Sequence, residues 1–284
     1  MTWLEYFMTA ERLPADYAAS VEAICLPLAQ ASAELAARQG RPVIVGLCGT
    51  QASGKSATAS VVARLLGERG LSCARLSLDD LYLTREERRV LAARVHPLLR
   101  TRGPPGTHDV ALGEAVLDAL ARPGPVLLPR FDKGGDTRKG PAEWEPFAGP
   151  ADVTIFEGWC VGARPQNAAA LVAPVNMLEA EEDAHGVWRE FVNAELAGPY
   201  QVLYGRIDML AMLQAPGFET VLAWRIEQEG KLRARTPDAP NLMSESQIAR
   251  FIAHYERLTR HILAEMPARA EMVFRLDERR RPIG

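Results

Sequence analysis

Apolar residues run unbroken from Val43 through Leu47, and Ala57, Val61, Val62, Leu65 and Leu66 then recur at helical spacing, so the chain predicts a strand, a loop and a helix. The alternation continues. Leu71 to Leu78 reads as a second strand ending at Asp79-Asp80, Val126 to Leu128 as a short strand, Val153 to Phe156 as a third clear one, and Ile207 to Leu213 and Met272 to Leu276 as the last two. Between them lie helical patterns. Thr84 with Glu87 forms a capping box that opens a helix to about Val95, and Leu112, Val116, Leu117 and Leu120 mark another that stops at Pro123-Gly124. Phe218 to about Gly230 reads as a helix, and Ser244 with Gln247 caps a long one whose apolar face is Ile248, Phe251, Ile252, Tyr255, Leu258 and Ile262. Ahead of the first strand, Tyr17, Val21, Ile24, Leu28, Ala31 and Leu35 form a helical layer that Pro27 is expected to kink or split. Strands alternating with helices predict an α/β fold with a mainly parallel central sheet covered on both faces. The expected division is a helical extension over 1–40 and one domain over 41–284. Three loops stand out: 96–108, Pro129 to Pro146, and a basic, Pro-containing stretch over 231–243.

A length of 284 residues suits one large α/β unit, and 48% apolar with 24% charged residues is the composition of a soluble globular protein. The net charge of −3 argues against duplex nucleic acid as main partner, because such binders carry a dominant basic face. Cys25, Cys48, Cys73 and Cys160 are far apart with no CxxC pairing, which predicts a reduced, cytoplasmic protein. Glu5, Glu11 and Asp16 interrupt the N-terminal region, so neither a signal peptide nor a membrane span is expected. The substrate should be an intracellular metabolite.

The chemistry begins in the first loop. Gly49, four residues, then Gly54, Lys55 and Ser56 form the phosphate-binding pattern GxxxxGKS in the strand–loop–helix context it requires. Residues Gly49, Thr50, Gln51, Ala52, Ser53, Gly54, Lys55, Ser56 and Ala57 are the expected ATP contacts. The backbone N–H groups cradle phosphate oxygens, Lys55 reaches the β- and γ-phosphates, and the Ser56 hydroxyl ligates Mg²⁺. The following helix presents its N-terminus to the same anion.

Ligands of an open parallel sheet bind outside the carboxyl ends of its strands, which selects Asp79, Asp80, Arg130, Asp132 and Glu157. Phosphoryl transfer asks for a cation on the phosphates, a carboxylate for Mg²⁺ and a base near the acceptor hydroxyl. Lys55, Glu157 and Asp79 fit those roles, with Asp79 a base or metal candidate and Asp80 a substrate or supporting one. Six arginines fall between 85 and 102 against two glutamates, most of them expected on a solvated helix face. Arg102 and His108 in one loop, and Arg130, Lys133 and Arg138 in the other, are candidates to meet a substrate carboxylate. Arg225, Lys231, Arg233 and Arg235 are expected to contribute to a lid over ATP, although a simple exposed loop reads nearly as well.

The segments GLCGTQASGKS (46–56), SLDDLY (77–82), HPLLRTRGPPGTHD (96–109), LPRFDKGGDTR (128–138), IFEGWCVGARP (155–165) and QIARFIAHYERLTR (247–260) closely resemble the D-glycerate 3-kinases. These are P-loop kinases related to uridine kinase, phosphoribulokinase and bacterial pantothenate kinase. The resemblance spans roughly residues 40 to 277. It implies a P-loop kinase three-layer sandwich with a lid, and transfer of the ATP γ-phosphoryl group to the 3-hydroxyl of D-glycerate with Mg²⁺. Asp79 matches the acid placed at the acceptor hydroxyl and Glu157 the acid at the end of the metal-side strand. The segment PRFDKGGDTR takes the place of the relatives' acceptor-binding loop, which assigns Arg130, Asp132, Lys133 and Arg138 to substrate, with Tyr82 of SLDDLY beside them. Two alternatives stay open: a P-loop kinase for a sugar, nucleoside or pantothenate-like acceptor, and a nucleotide-dependent regulatory module. Against the second, the chain carries neither an NKxD guanine-reading motif nor an LSGGQ signature.

Overall fold

A computed structural model describes residues 2–235 and 242–283 of the chain. It opens with helices α1 (Trp3–Glu11), α2 (Tyr17–Ser20) and α3 (Leu26–Gln39). The helix is not split at Pro27. Residues Val21–Cys25 widen into a π-helical turn in which the Leu26 N–H reaches back to the Val21 carbonyl, and Pro27 falls in the first turn of α3. The wider turn accommodates the missing N–H of proline, so helical winding is continuous through it.

Strand β1 (Val43–Gly49) leads through the glycine loop into α4 (Lys55–Gly67), followed by β2 (Cys73–Ser77), α5 (Arg85–Arg94) and α6 (Val110–Leu120). Four short strands come next: β3 (Gly124–Leu128), β4 (Phe131–Asp132), β5 (Thr137–Arg138) and β6 (Glu145–Gly149). After β7 (Val153–Gly158) the chain forms α7 (Met177–Glu182), α8 (Val187–Ala197), α9 (Pro199–Tyr204), β8 (Met209–Gln214), α10 (Phe218–Arg235), α11 (Glu245–Glu265), β9 (Met272–Leu276) and β10 (Pro282–Ile283).

The central sheet has the order β10-β9-β8-β1-β7-β2. Its four pairings apart from the β10 edge are parallel, with Leu47 and Ser77 both in register with Glu157; β10 alone runs antiparallel. Successive residues of a strand face opposite sides. Val43, Val45, Leu47, Val153 and Ile155 therefore pack with α3 and α4, while Cys48, Leu76 and Phe156 pack with α6 and α9 on the other face. Helix α11 serves both cores, giving Ile248 and Ile252 to the first and Tyr255, Leu258 and Ile262 to the second. Among the described residues, no helix is long and apolar enough to cross a membrane.

Three expectations are corrected. Val126 to Leu128 does not join the central sheet: β3 pairs antiparallel with β6, placing Val126 opposite Phe147. Only Val126 and Leu128 of β3 are buried, whereas all six residues of β7 are. One-sided burial is the mark of an antiparallel strand and continuous burial that of a parallel one. The stretch Pro129 to Pro146 is accordingly not a plain loop but contains the β4–β5 hairpin and β6. Finally, α10 continues five residues beyond Gly230, so Lys231 and Arg233 lie on the same helix as Arg225 rather than in a basic loop. The rest of that expected lid, 236–241, lies outside the described residues.

Candidate active site

Between β1 and α4 the loop Gly49–Ser56 needs two unusual backbone states. Gly54 has φ 94° and Ala52 φ 59°, both left-handed, which lets the chain curl around a centre. A side chain at Gly49 would stand 2.9 Å from Ser53 Oγ and 3.1 Å from Leu213 Cβ, so only glycine fits there. Thr50 Oγ1, the Gln51 side-chain amide and Ser53 Oγ are buried without a partner. Buried polar atoms in folded proteins are rarely left unpaired. Their concentration in one loop beside a helix N-terminus suits the oxygens of a phosphate chain. Lys55 Nζ meanwhile donates to the Thr50 carbonyl at 3.0 Å.

Ser56 Oγ donates to Glu157 Oε1 at 2.7 Å, and Glu157 is only 6% exposed. The pair follows from topology, because β7 is the immediate neighbour of β1 and delivers its acid level with the loop. Hydroxyl and carboxylate oxygens suit a hard divalent cation such as Mg²⁺. Among the described residues no group of three or more His, Cys, Asp or Glu side chains could hold a metal. Phosphate oxygens and water would have to complete its shell.

Asp79 and Asp80 lie one strand further out, where Leu78 turns the chain from β2 into a single turn of 3₁₀ helix, 78–81. The Asp79 N–H donates to Ser77 Oγ at 3.3 Å, and its carboxylate receives Lys133 Nζ at 3.1 Å. Burial alone would raise the Asp79 carboxyl, but Lys133 and Lys55 outweigh it and hold it well below the usual carboxylate range. Lys133 is raised in turn, chiefly by Asp79. Asp80 behaves oppositely. Burial pushes its carboxyl up to about 6, against the lowering effect of the Phe131 N–H at 2.9 Å and of Arg130 at 3.2 Å.

The remaining predicted residues gather around the β4–β5 hairpin, most of them already paired. Arg130 joins Asp80 to Glu145, Arg138 meets Asp109 at 3.1 Å, and Arg102 pairs with Asp136 while its guanidinium lies 5.5 Å from the Phe131 ring centre. Asp132 accepts the Gly134 N–H at 2.9 Å and so shapes the hairpin turn. Lys133, at its tip, has a side chain 68% exposed. His108 stacks on Tyr82 with centroids 4.4 Å apart, and its Nδ1 lies 2.6 Å from the Tyr200 hydroxyl. Burial lowers the His108 pKa to about 3, so the ring is neutral. Arg225 pairs with Glu229 at 2.9 Å along α10.

Two residues of this region had no sequence signal. Arg88, expected among solvated arginines, is 1% exposed and ties Leu83, Arg100 and Asp136 together. Arg280, from the turn between β9 and β10, donates to the Ala52 carbonyl at 2.8 Å. Its contact spans the whole fold, so no local pattern could reveal it.

A phosphate loop whose serine meets the acid of the adjoining strand, at the carboxyl edge of a parallel sheet covered on both faces, defines a P-loop kinase. The comparisons with known proteins agree. An uncharacterized kinase of Schizosaccharomyces pombe, mug58, is 36% identical over 228 residues, covering 76% of this chain and 79% of the relative. The chloroplastic D-glycerate 3-kinase of Arabidopsis thaliana is 26% identical over 260 residues, 85% of this chain and 54% of the plant protein. The solved D-glycerate 3-kinase of Cryptococcus neoformans superposes with a TM-score of 0.76 at 27% identity, covering 92% of this chain and 98% of that one. No family model matches the chain. The protein belongs to the D-glycerate 3-kinase family of P-loop kinases, and is a phosphotransferase that uses ATP on a small molecule.

Proposed function

We propose that this kinase phosphorylates D-glycerate on its 3-hydroxyl, giving 3-phosphoglycerate and ADP. The observation that carries the proposal is the juxtaposition of two pairs on adjacent strand ends: Ser56 with Glu157 on the nucleotide side, and Asp79 with Lys133 on the acceptor side. The names of the plant and fungal relatives support the choice of acceptor.

In this reading ATP supplies the phosphoryl group; Ser56 and Glu157 would hold Mg²⁺, which when bound would offset the charge of the phosphate oxygens. The loop 49–57 binds the phosphates through backbone N–H groups, and Lys55 leaves the Thr50 carbonyl to stabilise the charge that develops on transfer. Lys133 turns from Asp79 to the acceptor carboxylate. Asp79, relieved of its cation, then accepts the proton of the 3-hydroxyl. That oxygen forms the new bond to phosphorus as the bond to the β–γ bridging oxygen breaks, in line and without a covalent enzyme intermediate. Arg102, His108, Arg130, Asp132 and Arg138, with Asp80 and Tyr82, form the acceptor wall. Arg225 is assigned to the ATP side, with residues 41–284 as the catalytic domain and 1–40 as its helical extension.

The test is ADP release with Mg²⁺ and ATP in the presence of D-glycerate, L-glycerate, uridine, pantothenate or ribulose 5-phosphate, with the phosphate position in the product read by NMR. Stimulation by D-glycerate alone, with phosphate on carbon 3, is the expected result. Stimulation by another acceptor and not by D-glycerate would overturn the choice of substrate. Asp79→Asn should lower kcat far more than ATP affinity; equal losses in both would remove Asp79 from the base role.

A further inference from the structure

Ala52 stands at the crest of the phosphate loop in a conformation that a side chain disfavours, φ 59°. Left-handed backbone at a residue with Cβ persists only where its surroundings hold it there. Within the loop itself the holding contacts are few: the Thr50 carbonyl accepts the Ser53 N–H at 3.3 Å and Lys55 Nζ at 3.0 Å, while the side chains of Thr50, Gln51 and Ser53 have no partner among the described residues. The Ala52 carbonyl receives its bond from elsewhere, the Nε of Arg280 at 2.8 Å.

Arg280 is itself fixed on every side. Its turn, Asp277 to Arg281, is closed by the Asp277 carboxylate, which accepts the N–H groups of Arg279 and Arg281, both at 2.8 Å. Arg280 takes φ 64° there, the state that points its side chain at the loop. The guanidinium lies 5.1 Å from the Trp224 ring centre and pairs with Glu227 at 2.8 Å, both residues belonging to α10. Trp224 Nε1 closes the arrangement by donating to the Glu278 carbonyl at 2.6 Å. An arginine spends its rigid fork well in such a place: one edge bonds α10, the other the loop.

We propose that Arg280 is a positioning residue for the phosphate-binding loop, acting through the Ala52 carbonyl to keep the loop curled for the triphosphate. It need not touch the nucleotide. The inference rests on the kinase reading for its ligand, yet the bracket itself exists without one, which separates the two tests.

The experiment is a cycle of Arg280→Ala, Ala52→Gly and the double variant, read in two ways. The first is amide hydrogen exchange of residues 50–54 in the nucleotide-free protein. Arg280→Ala should speed exchange at these amides while the sheet and α4 keep their protection. The second is calorimetric affinity for ATP with Mg²⁺. Here Arg280→Ala should weaken binding by about tenfold, the lower end for a bond from a charged group because the guanidinium is partly exposed. Glycine takes the left-handed state without penalty. Losing Arg280 should therefore cost only about twofold to threefold in the Ala52→Gly background, a non-additivity that a general structural role would not produce. Arg280→Lys keeps the charge but lacks the Nε–H, and should behave as Arg280→Ala does. Restoration of affinity by lysine, or additive effects of the two substitutions, would overturn the proposal. Should Arg280→Ala fail to fold, Glu227→Gln loosens the guanidinium from α10 and should speed exchange at 50–54 in the same sense; unchanged exchange there would also overturn it. A wild-type protein that shows the exchange pattern but binds no ATP would instead count against the kinase reading alone.

Discussion

Arg88 offers a sharp test of how the acceptor side is held together. Its guanidinium is buried and donates to three carbonyls, those of Leu83 at 3.2 Å, Arg100 at 2.8 Å and Asp136 at 2.6 Å, besides pairing with the Asp136 carboxylate at 2.9 Å. These acceptors belong to the segment before α5, the loop after it and the β4–β5 hairpin, so one side chain ties three pieces of the acceptor wall. Arg88→Met keeps a long side chain and most of the packing while removing every donor. Asp136 is one third exposed, so water replaces much of what its groups lose, and the ion pair adds little. The Leu83 and Arg100 carbonyls lose a charged donor in a partly buried place, each at roughly 1–2 kcal/mol. Relief from burying the guanidinium offsets part of this. The net expectation is about 2–3 kcal/mol, a fall in Tm of roughly 3–5 °C for a chain of this size. Differential scanning calorimetry reads the stability, and steady-state kinetics should show KM for the acceptor rising more than KM for ATP, since Asp136 also holds Arg102 at the cleft. A Tm within 1 °C of wild type, with both KM values unchanged, would refute the assignment of Arg88 as the tie.

Lys55→Ala should lower kcat by about a hundredfold or more while leaving Tm nearly unchanged, because its only side-chain bond among the described residues is to the Thr50 carbonyl; full turnover in a steady-state assay would remove it from the reaction. Asp80 makes a pH prediction with a definite sign. Its pKa rises from 3.8 in the unfolded chain to about 6 in the fold, so the stability it contributes is complete below about pH 4 and is lost as pH rises through 6. Urea midpoints of wild type and Asp80→Asn should therefore diverge in slope between pH 4 and 6, and parallel curves would exclude it. Lys133→Met should raise KM for D-glycerate by about fivefold, as suits an exposed cation, and barely affect its uncharged amide; an equal rise for both would show that Lys133 does not meet the carboxylate.

What could be read from the sequence is what depends on short range. The phosphate loop, the capping boxes of α5 and α11 and the buried strands β1 and β7 all carry their cause within a few residues, and each lies where the pattern put it. Apolar runs could not say to which sheet a strand belongs. Val126 to Leu128 joined β6 because only alternate side chains are buried, a pattern too short to detect over three residues. Nor does the sequence distinguish a buried arginine from an exposed one. Arg88 is buried by partners 12 and 48 residues away, whereas its neighbour Arg89 pairs with Glu86 on the helix surface, as the charge pattern predicts. Arg280 lies 228 residues from Ala52 and comes near it only because β9 is added to the same sheet edge as β8.

The same distinction governs the candidate site. Its nucleotide half is a local motif completed by one long-range acid, and that acid arrives through strand order alone. Its acceptor half is assembled almost wholly by ion pairs between segments. Arg130 joins the hairpin to Asp80 and Glu145, Arg138 joins it to Asp109, and Arg102 is joined to it by Asp136, so these arginines are committed to holding the wall together. Lys133 differs. It is mostly exposed, and its partner Asp79 also feels the charge of the loop lysine, Lys55. An anionic acceptor that takes Lys133 from Asp79 therefore costs the wall none of its ties. It also removes the main charge that keeps the Asp79 carboxyl low. In the proposed mechanism, binding of the anion and release of Asp79 as base are then one exchange, which gives a physical reason for a charged acceptor to be favoured over a neutral one of the same shape.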